Sequence, residues 1–226
     1  MPGAPPDFVD NSQEWTAAGK DHGVDDPEQI RVDVIAIDDP LDEWEVKIWQ
    51  SISDPADHPV AVAEIDQGWI LTGGGAFVDY KGGAGNLLTA SFPRPSRTAW
   101  EARSKDHDAP DVCSITAFAI GLRYKGAETG VTLEQTQTLP NFGPPAAHPT
   151  ATASLPPNQG WILSGGGAFD DWTGIASSTP GGVGNLLTAS APPEGTVLDW
   201  LAAGKDQLTS SPASISAFAI GIRIRP

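Results

Sequence analysis

The sequence predicts an all-β protein of tandem β-sandwich-like, jelly-roll-like repeats. Three observations carry that expectation: near-identical blocks recurring in one order, a hydrophobic period of two, and Pro, Gly, Asp and Asn at the joins between short apolar runs.

The blocks come first, because a repeat sets the architecture. GWILTGGGAF at 68–77 returns as GWILSGGGAF at 160–169, differing only at Thr72 against Ser164. GNLLTAS at 85–91 recurs unchanged at 184–190, and SITAFAIGLR at 114–123 matches SISAFAIGIR at 214–223. Between the last two blocks stand WEARSKDH at 100–107 and WLAAGKDQ at 200–207, while WTAAGKDH already occurs at 15–22 and runs on to IRVDVIAI at 30–37. Fainter front segments also correspond, VKIWQS at 46–51 to VTLEQT at 131–136 and HPVAVAEI at 58–65 to HPTATASL at 148–155. The expected organisation is a partial repeat over 1–40, the back half of a unit, then full repeats over 41–126 and 127–226.

Each block reads as strand. In SITAFAIGLR, Phe118, Ile120 and Leu122 share one face, and Ile115, Ala117, Ala119 and Gly121 share the other. A strand apolar on one face and small on the other suits a sheet on a core with a second layer close behind. The W-x-x-x-x-K-D segments have room for a helical turn or two at most. The segments 78–84 and 170–183, where the copies differ, are expected to be exposed loops.

Composition excludes several classes. The chain has 226 residues, 39% of them hydrophobic and eight of them Trp, too much apolar content for a disordered chain despite 21 Pro and 25 Gly. Lys and Arg number 13 against 29 Asp and Glu, a formal charge of −16 that repels phosphate backbones and anionic lipid. No nucleic-acid partner is expected. No apolar run has the length of a membrane span, so no membrane insertion is expected. Cys113 is the single cysteine, which leaves no intrachain disulfide. MPGAPPDFVD lacks the basic start and apolar centre of a signal peptide, which by itself reads as cytoplasmic.

Candidate site residues follow from what the copies share and where they part. The triplets Gly73–Gly75 and Gly165–Gly167 call for close packing, a bulge or backbone approach to a ligand. They lack the GK[ST] and following helix of a phosphate loop. Asn86 and Asn185 either fix a turn or offer an amide to a sugar hydroxyl. Asp106, His107 and Asp206 belong to the recurring K-D-H/Q motif, in which Gln207 replaces histidine and so argues against a general base. The histidines are scattered and one cysteine cannot complete a zinc cluster. Calcium is the possible cofactor, with Asp79, Asp170 and Asp171 as candidate ligands; otherwise none is expected. Trp172 reads as an aromatic in an insertion without a counterpart, with Tyr80 the nearest aromatic of the first copy. Both are candidate contacts for a sugar face or a protein partner. Ser91 and Ser190 lie in no nucleophile elbow.

Taken together, Gly73–Ala76, Asn86–Ser91, Pro93, Trp100, Lys105–His107 and Ala119–Gly121 resemble a repeat met in bacterial and phage-associated extracellular proteins, near the ends of collagen-like or tail-fibre-like chains. That resemblance implies display and attachment rather than chemistry, and an extracellular or surface location. Two departures stand against it, Gln207 for His107 and Ala36 for Gly121.

The functional expectation is a non-catalytic binding or adhesion module presenting loops to a glycan or surface protein, where duplication adds avidity. Alternatives are a structural component of an extracellular assembly, with the chain as a homo-oligomer or its half-repeat completed by another chain, and a carbohydrate-active enzyme.

Overall fold

A computed structural model describes residues 14–22, 24–25, 27–80, 86–107, 109–126, 130–178 and 185–225. The N-terminal MPGAPPDFVD and the glycines of the 83–86 and 182–185 segments lie outside them. The described chain is all-β. The first copy supplies β1 (Trp44–Ile52), β2 (Val60–Glu64), β3 (Ile70–Asp79), β4 (Leu87–Pro93), β5 (Ala99–Lys105) and β6 (Ser114–Tyr124). The second supplies β7 (Thr132–Gln137), β8 (Thr150–Ser154), β9 (Ile162–Asp171), β10 (Asn185–Ala191), β11 (Asp199–Asp206) and β12 (Ser214–Arg225).

These strands form three antiparallel sheets, ordered β1-β6-β3, β10-β11-β8 and β2-β5-β4-β9-β12-β7. The six-stranded sheet is two three-stranded halves, one from each copy, joined where Ala90 and Ser91 of β4 pair with Phe169 and Ala168 of β9. The strand order within each copy is the same, so the sequence repeat is also a repeat of pairing.

Cores form where the two three-stranded groups of one copy face each other. Ala61 and Ala63 of β2, Trp100 and Ala102 of β5, Leu71 of β3 and Ile115, Ala117 and Ala119 of β6 make the first cluster. The second takes the equivalent places with Ala153, Leu163, Ala202, Ile215, Ala217 and Ala219. A third cluster lies at the seam between copies, where Phe92 stacks on Phe169 at 5.0 Å between ring centres and on Phe218 at 5.2 Å.

The glycine triplets are explained by three different neighbours. A Cβ on Gly166 would stand 2.3 Å from the Trp200 ring and the Phe218 carbonyl, and one on Gly74 would stand 2.2 Å from Trp100. Gly165 meets the Thr72 carbonyl of β3, and Gly167 the Ser91 carbonyl of β4, each at about 2.5 Å from the missing Cβ. Each tryptophan thus packs across the core against the facing sheet of its own copy, and Gly165 and Gly167 let the copies' backbones meet. Each indole is pinned by the conserved-looking serine of the NLLTAS block: Trp100 Nε1 donates to Ser91 Oγ at 2.9 Å and Trp200 Nε1 to Ser190 Oγ at 3.0 Å.

Bulges sit at matching places. Thr72 falls at the register shift between β3 and β6, Ser164 at that between β9 and β12. Their hydroxyls donate to the Ile120 and Ile220 carbonyls at 3.2 and 3.3 Å. The one difference within the GWIL block therefore preserves the group that the bulge uses.

Three expectations are corrected. Two of the three W-x-x-x-x-K-D segments are full strands, β5 and β11, because each gains a neighbour on both edges. Residues 78–79 and 170–171 are strand ends rather than exposed loop, since β6 and β12 reach far enough to pair with them. IRVDVIAI forms no strand, for among the described residues nothing equivalent to β1 or β3 pairs with it. Accordingly Trp15 is 38% exposed while its counterpart Trp100 is 1% exposed.

The packing separates the glycines. Gly74→Ala and Gly166→Ala are expected to cost at least about 2 kcal/mol by overpacking. Gly73→Ala, whose Cβ would meet nothing nearer than 3.9 Å, should stay within about 0.5 kcal/mol of the parent. Urea denaturation of the three variants makes the comparison.

Candidate functional site

The three K-D-H/Q motifs, far apart in sequence, meet. His22 Nε2 donates to the His107 carbonyl at 2.7 Å, His107 Nε2 to the Gln207 carbonyl at 2.8 Å, and Gln207 Nε2 to the His22 carbonyl at 2.6 Å. A carbonyl oxygen only accepts, so each imidazole carries its hydrogen on Nε2. The three bonds close a ring with a pseudo-threefold axis. Its members are 85, 100 and 185 residues apart. Gln207 thereby takes the place of a third histidine, its amide doing the same donating work. Tight turns brace the ring, because the carbonyls of His107 and Gln207 also accept from the backbone N–H of Ala109 and Thr209.

Around the ring the motif lysines reach across copy boundaries. Lys20 Nζ lies 4.9 Å from the Tyr80 ring centre, and Lys105 Nζ lies 5.0 Å from that of Trp172. In each case a lysine of one copy covers the aromatic that follows GGGAF-x-x in the next. Trp172 is therefore the counterpart of Tyr80, and the insertion begins after it; this corrects the expectation that it has none. Both aromatics are half-buried. The edge of Trp172 also meets His58 at 5.1 Å, and His58 Nδ1 lies 3.4 Å from Asp106 Oδ1.

The remaining candidates are tied into the same boundary. Asn86 Nδ2 donates to the carbonyls of Asp57 and Asp111 at 2.9 and 3.0 Å. Asn185 Nδ2 donates to the Ala147 carbonyl at 3.1 Å and to Asp206 Oδ1 at 2.9 Å. These amides tie the starts of β4 and β10 to segments distant in sequence rather than to the backbone of their own turns. Asp171 accepts from Thr173 Oγ1 and from the backbone and hydroxyl of Ser177, and so shapes the chain leaving β9. Asp79, its equivalent on β3, is half-buried.

Asp170 stands apart. It occupies the position of Val78, it is 0% exposed, and neither carboxylate oxygen has a hydrogen-bond partner among the described residues. Burial pushes its pKa up to about 8, Lys105 pulls it down, and Asp171 and Asp206 raise it further. Asn185 Oδ1, another buried acceptor without a donor, lies with Asp170 Oδ2 inside 3 Å of where a Cβ on Gly204 would be. A protonated Asp170 suits that pocket, since it removes a buried charge and brings an O–H beside an acceptor.

At the other boundary Cys113 is a buried thiol. Burial, with Asp111 and Asp79, raises its pKa to about 11, against the pull of Lys20. Such a thiol is unreactive at neutral pH. Burial in turn lowers the pKa of Lys20.

Among the described residues no three His, Cys, Asp or Glu side chains are arranged to hold a metal ion. Asp79, Asp170 and Asp171 are not gathered into a calcium cage. No described helix is long and apolar enough to cross a membrane. The sequence matches no protein-family model, and no curated protein matches it.

The sequence shows Gln207 in place of histidine as an argument against a general base, and it does not show the role that His107 and Gln207 share in the ring. Sequence reasoning also missed Lys20, Lys105 and His58. The signal for the ring was the threefold recurrence of the motif.

Two outcomes test this geometry. His107→Ala should cost about 2–3 kcal/mol, through a buried cavity and an orphaned carbonyl, whereas His107→Gln should cost less than about 1 kcal/mol by supplying the amide found at Gln207. The Asp170 carboxyl binds its proton more tightly folded than unfolded, so its contribution is full below about pH 4 and is lost as pH rises through about 8. Stability should fall across that window, by about 1 kcal/mol per pH unit. Asp170→Asn should flatten the slope and be the more stable protein at pH 8.5, as read from urea midpoints.

Proposed function

We propose that this protein is a non-catalytic binding or adhesion module, in which sandwich-like β repeats stand around a shared axis and present their variable loops at one end to a glycan or surface partner. The observation that carries the reading is the ring of His22, His107 and Gln207. It sets the ends of the motif segments side by side, and the aromatics that open the variable loops, Tyr80 and Trp172, lie against lysines of those same motifs. Loops that leave from neighbouring points around one axis favour multivalent attachment, where two weak contacts on one body gain avidity.

Binding is favoured over chemistry by how the reactive groups are used. Both histidines of the ring donate to carbonyls, and Asp171 is satisfied by its own loop. Asp170 is buried beside the ring rather than open to a substrate. A charge of −16 favours a neutral glycan or a basic protein patch over an anionic surface. An extracellular or surface location goes with this reading, and no metal is required by it.

The experiment is a glycan array probed with the protein and with Tyr80→Ala, Trp172→Ala and the double variant. Each single change should weaken binding at least tenfold or so, while unfolding stays within about 1 kcal/mol of the parent, the scale of the cation–π contact removed. Binding by the double variant at the parent level would refute the role of these aromatics.

A further inference from the structure

A cavity of about 220 Å³ lies at the seam between the two full repeats. Its floor is the stacked rings of Phe92, Phe169 and Phe218, all buried, and Phe142 closes one side with its ring edge-on to Phe169 at 5.6 Å. Half-buried Gln137 forms part of the wall, and exposed Arg97 and Ala176 stand at the mouth.

Much of this lining comes from places where the repeats differ. Phe92 stands where the second repeat has Ala191, and Gln137 where the first has Ile52. Phe142 belongs to residues 141–145, which have no counterpart between Pro55 and Ala56, and Ala176 to the longer segment that follows Trp172. The first of these insertions is held in place, since the Asn141 N–H donates to Ser216 Oγ at 2.9 Å.

Packing of the seam accounts for the phenylalanines. It does not account for Gln137 and Arg97. Gln137 Nε2 donates to the Arg94 carbonyl at 3.1 Å, which leaves its Oε1 buried and without a donor among the described residues. Such an acceptor calls for an O–H or N–H. Arg31, Arg94, Arg103, Arg123, Arg223 and Arg225 each lie within 3.4 Å of a carboxylate oxygen, whereas Arg97 has no carboxylate partner among the described residues. Residues 94–103 carry three arginines and one acid, Glu101, which Arg94 and Arg103 already share. Within a chain of charge −16 this is a local place for an anion.

We propose that the seam cavity binds a small aromatic acid, its ring on the phenylalanine floor, its carboxylate on Arg97, and a ring hydroxyl or N–H donating to Gln137 Oε1. Size sets the class. A cavity of about 150 Å³ takes benzene, so this one has room for a single ring with a short side chain, and not for a lipid tail. The apolar floor supplies ring contacts, and a guanidinium offers a carboxylate two parallel donors. A few convergent polar groups over an apolar lining are what fix a small ligand in one orientation. The inference stands apart from the glycan reading, since it uses neither Tyr80 nor Trp172.

The test titrates para-hydroxyphenylpropionate into the full chain by calorimetry. One-to-one binding is expected, with a Kd below about 1 mM. Arg97→Gln changes an exposed side chain, so it should leave the urea midpoint unchanged and weaken binding at least about tenfold. Phenylpropionate, which lacks the ring hydroxyl, should bind the parent at least about threefold more weakly. Ala176→Trp, which obstructs the mouth from an exposed position, should abolish binding. Absence of saturable binding would overturn the proposal, as would equal affinity of the Arg97→Gln protein. So would N-acetyltyrosinamide binding as tightly as the acid, which would assign the cavity to a tyrosine side chain of a partner protein.

Discussion

The ring of three hydrogen bonds between His22, His107 and Gln207 is the constraint on which the arrangement of this protein depends. Each bond joins a side chain of one copy to a backbone carbonyl of the next, and His22 and His107 are buried, so a missing member leaves a polar group without a partner away from water. A closed cycle also fixes orientation. The three motif ends are thereby held side by side, two of them at the ends of β5 and β11. The cation–π pairs of Lys20 with Tyr80 and of Lys105 with Trp172 are the same contact made twice by that geometry.

Packing at the boundary then follows from small residues. Where β3 and β9 converge near the axis, Gly165 admits the Thr72 carbonyl; where β4 joins β9, Gly167 admits that of Ser91. A methyl group at either place would hold the backbones apart and break the pairing of Ala90 and Ser91 that makes one six-stranded sheet from two copies. The seam is finished by Phe92 against Phe169 and Phe218, with the Arg103 guanidinium 4.8 Å from the Phe169 ring. Phe92 has Ala191 as its counterpart, on β10, which is an edge strand among the described residues. The difference between the copies tracks whether a described strand is there to be packed against.

Much of this could be read from the residues. Alternation in SITAFAIGLR places Ile115, Ala117 and Ala119 on one face, and they share one core cluster, while Phe118 and Leu122 of the other face are buried as well. The glycine triplets were open to packing or ligand contact, and close packing accounts for every member but Gly73. Other features depended on distance in space. Asp170 looks like a loop carboxylate because aspartate is common in turns, but its place in the repeat is that of Val78, and β12 extends far enough to bury it. Gln207 looked like the loss of a histidine because sequence shows the chemistry lost and hides the donor kept. IRVDVIAI has the pattern of a strand, yet a strand needs neighbours, and among the described residues none pairs with it. The calcium, glycan and enzyme readings of the acidic residues rested on residue type alone, which cannot say whether an oxygen is already engaged.

The most direct test of the ring asks whether the first and last motifs are neighbours. The chain's own thiol, Cys113, is buried and unreactive, so cysteines introduced by Asp21→Cys and Leu208→Cys, at exposed positions next to the first and last ring members, can be addressed alone while the ring is kept. A short bifunctional thiol reagent added to the folded double variant at low concentration should link residues 21 and 208 within one molecule, seen as a single intramolecular adduct by intact mass. Two singly modified thiols, or links only between molecules, would show that the motifs do not meet and would contradict the threefold arrangement.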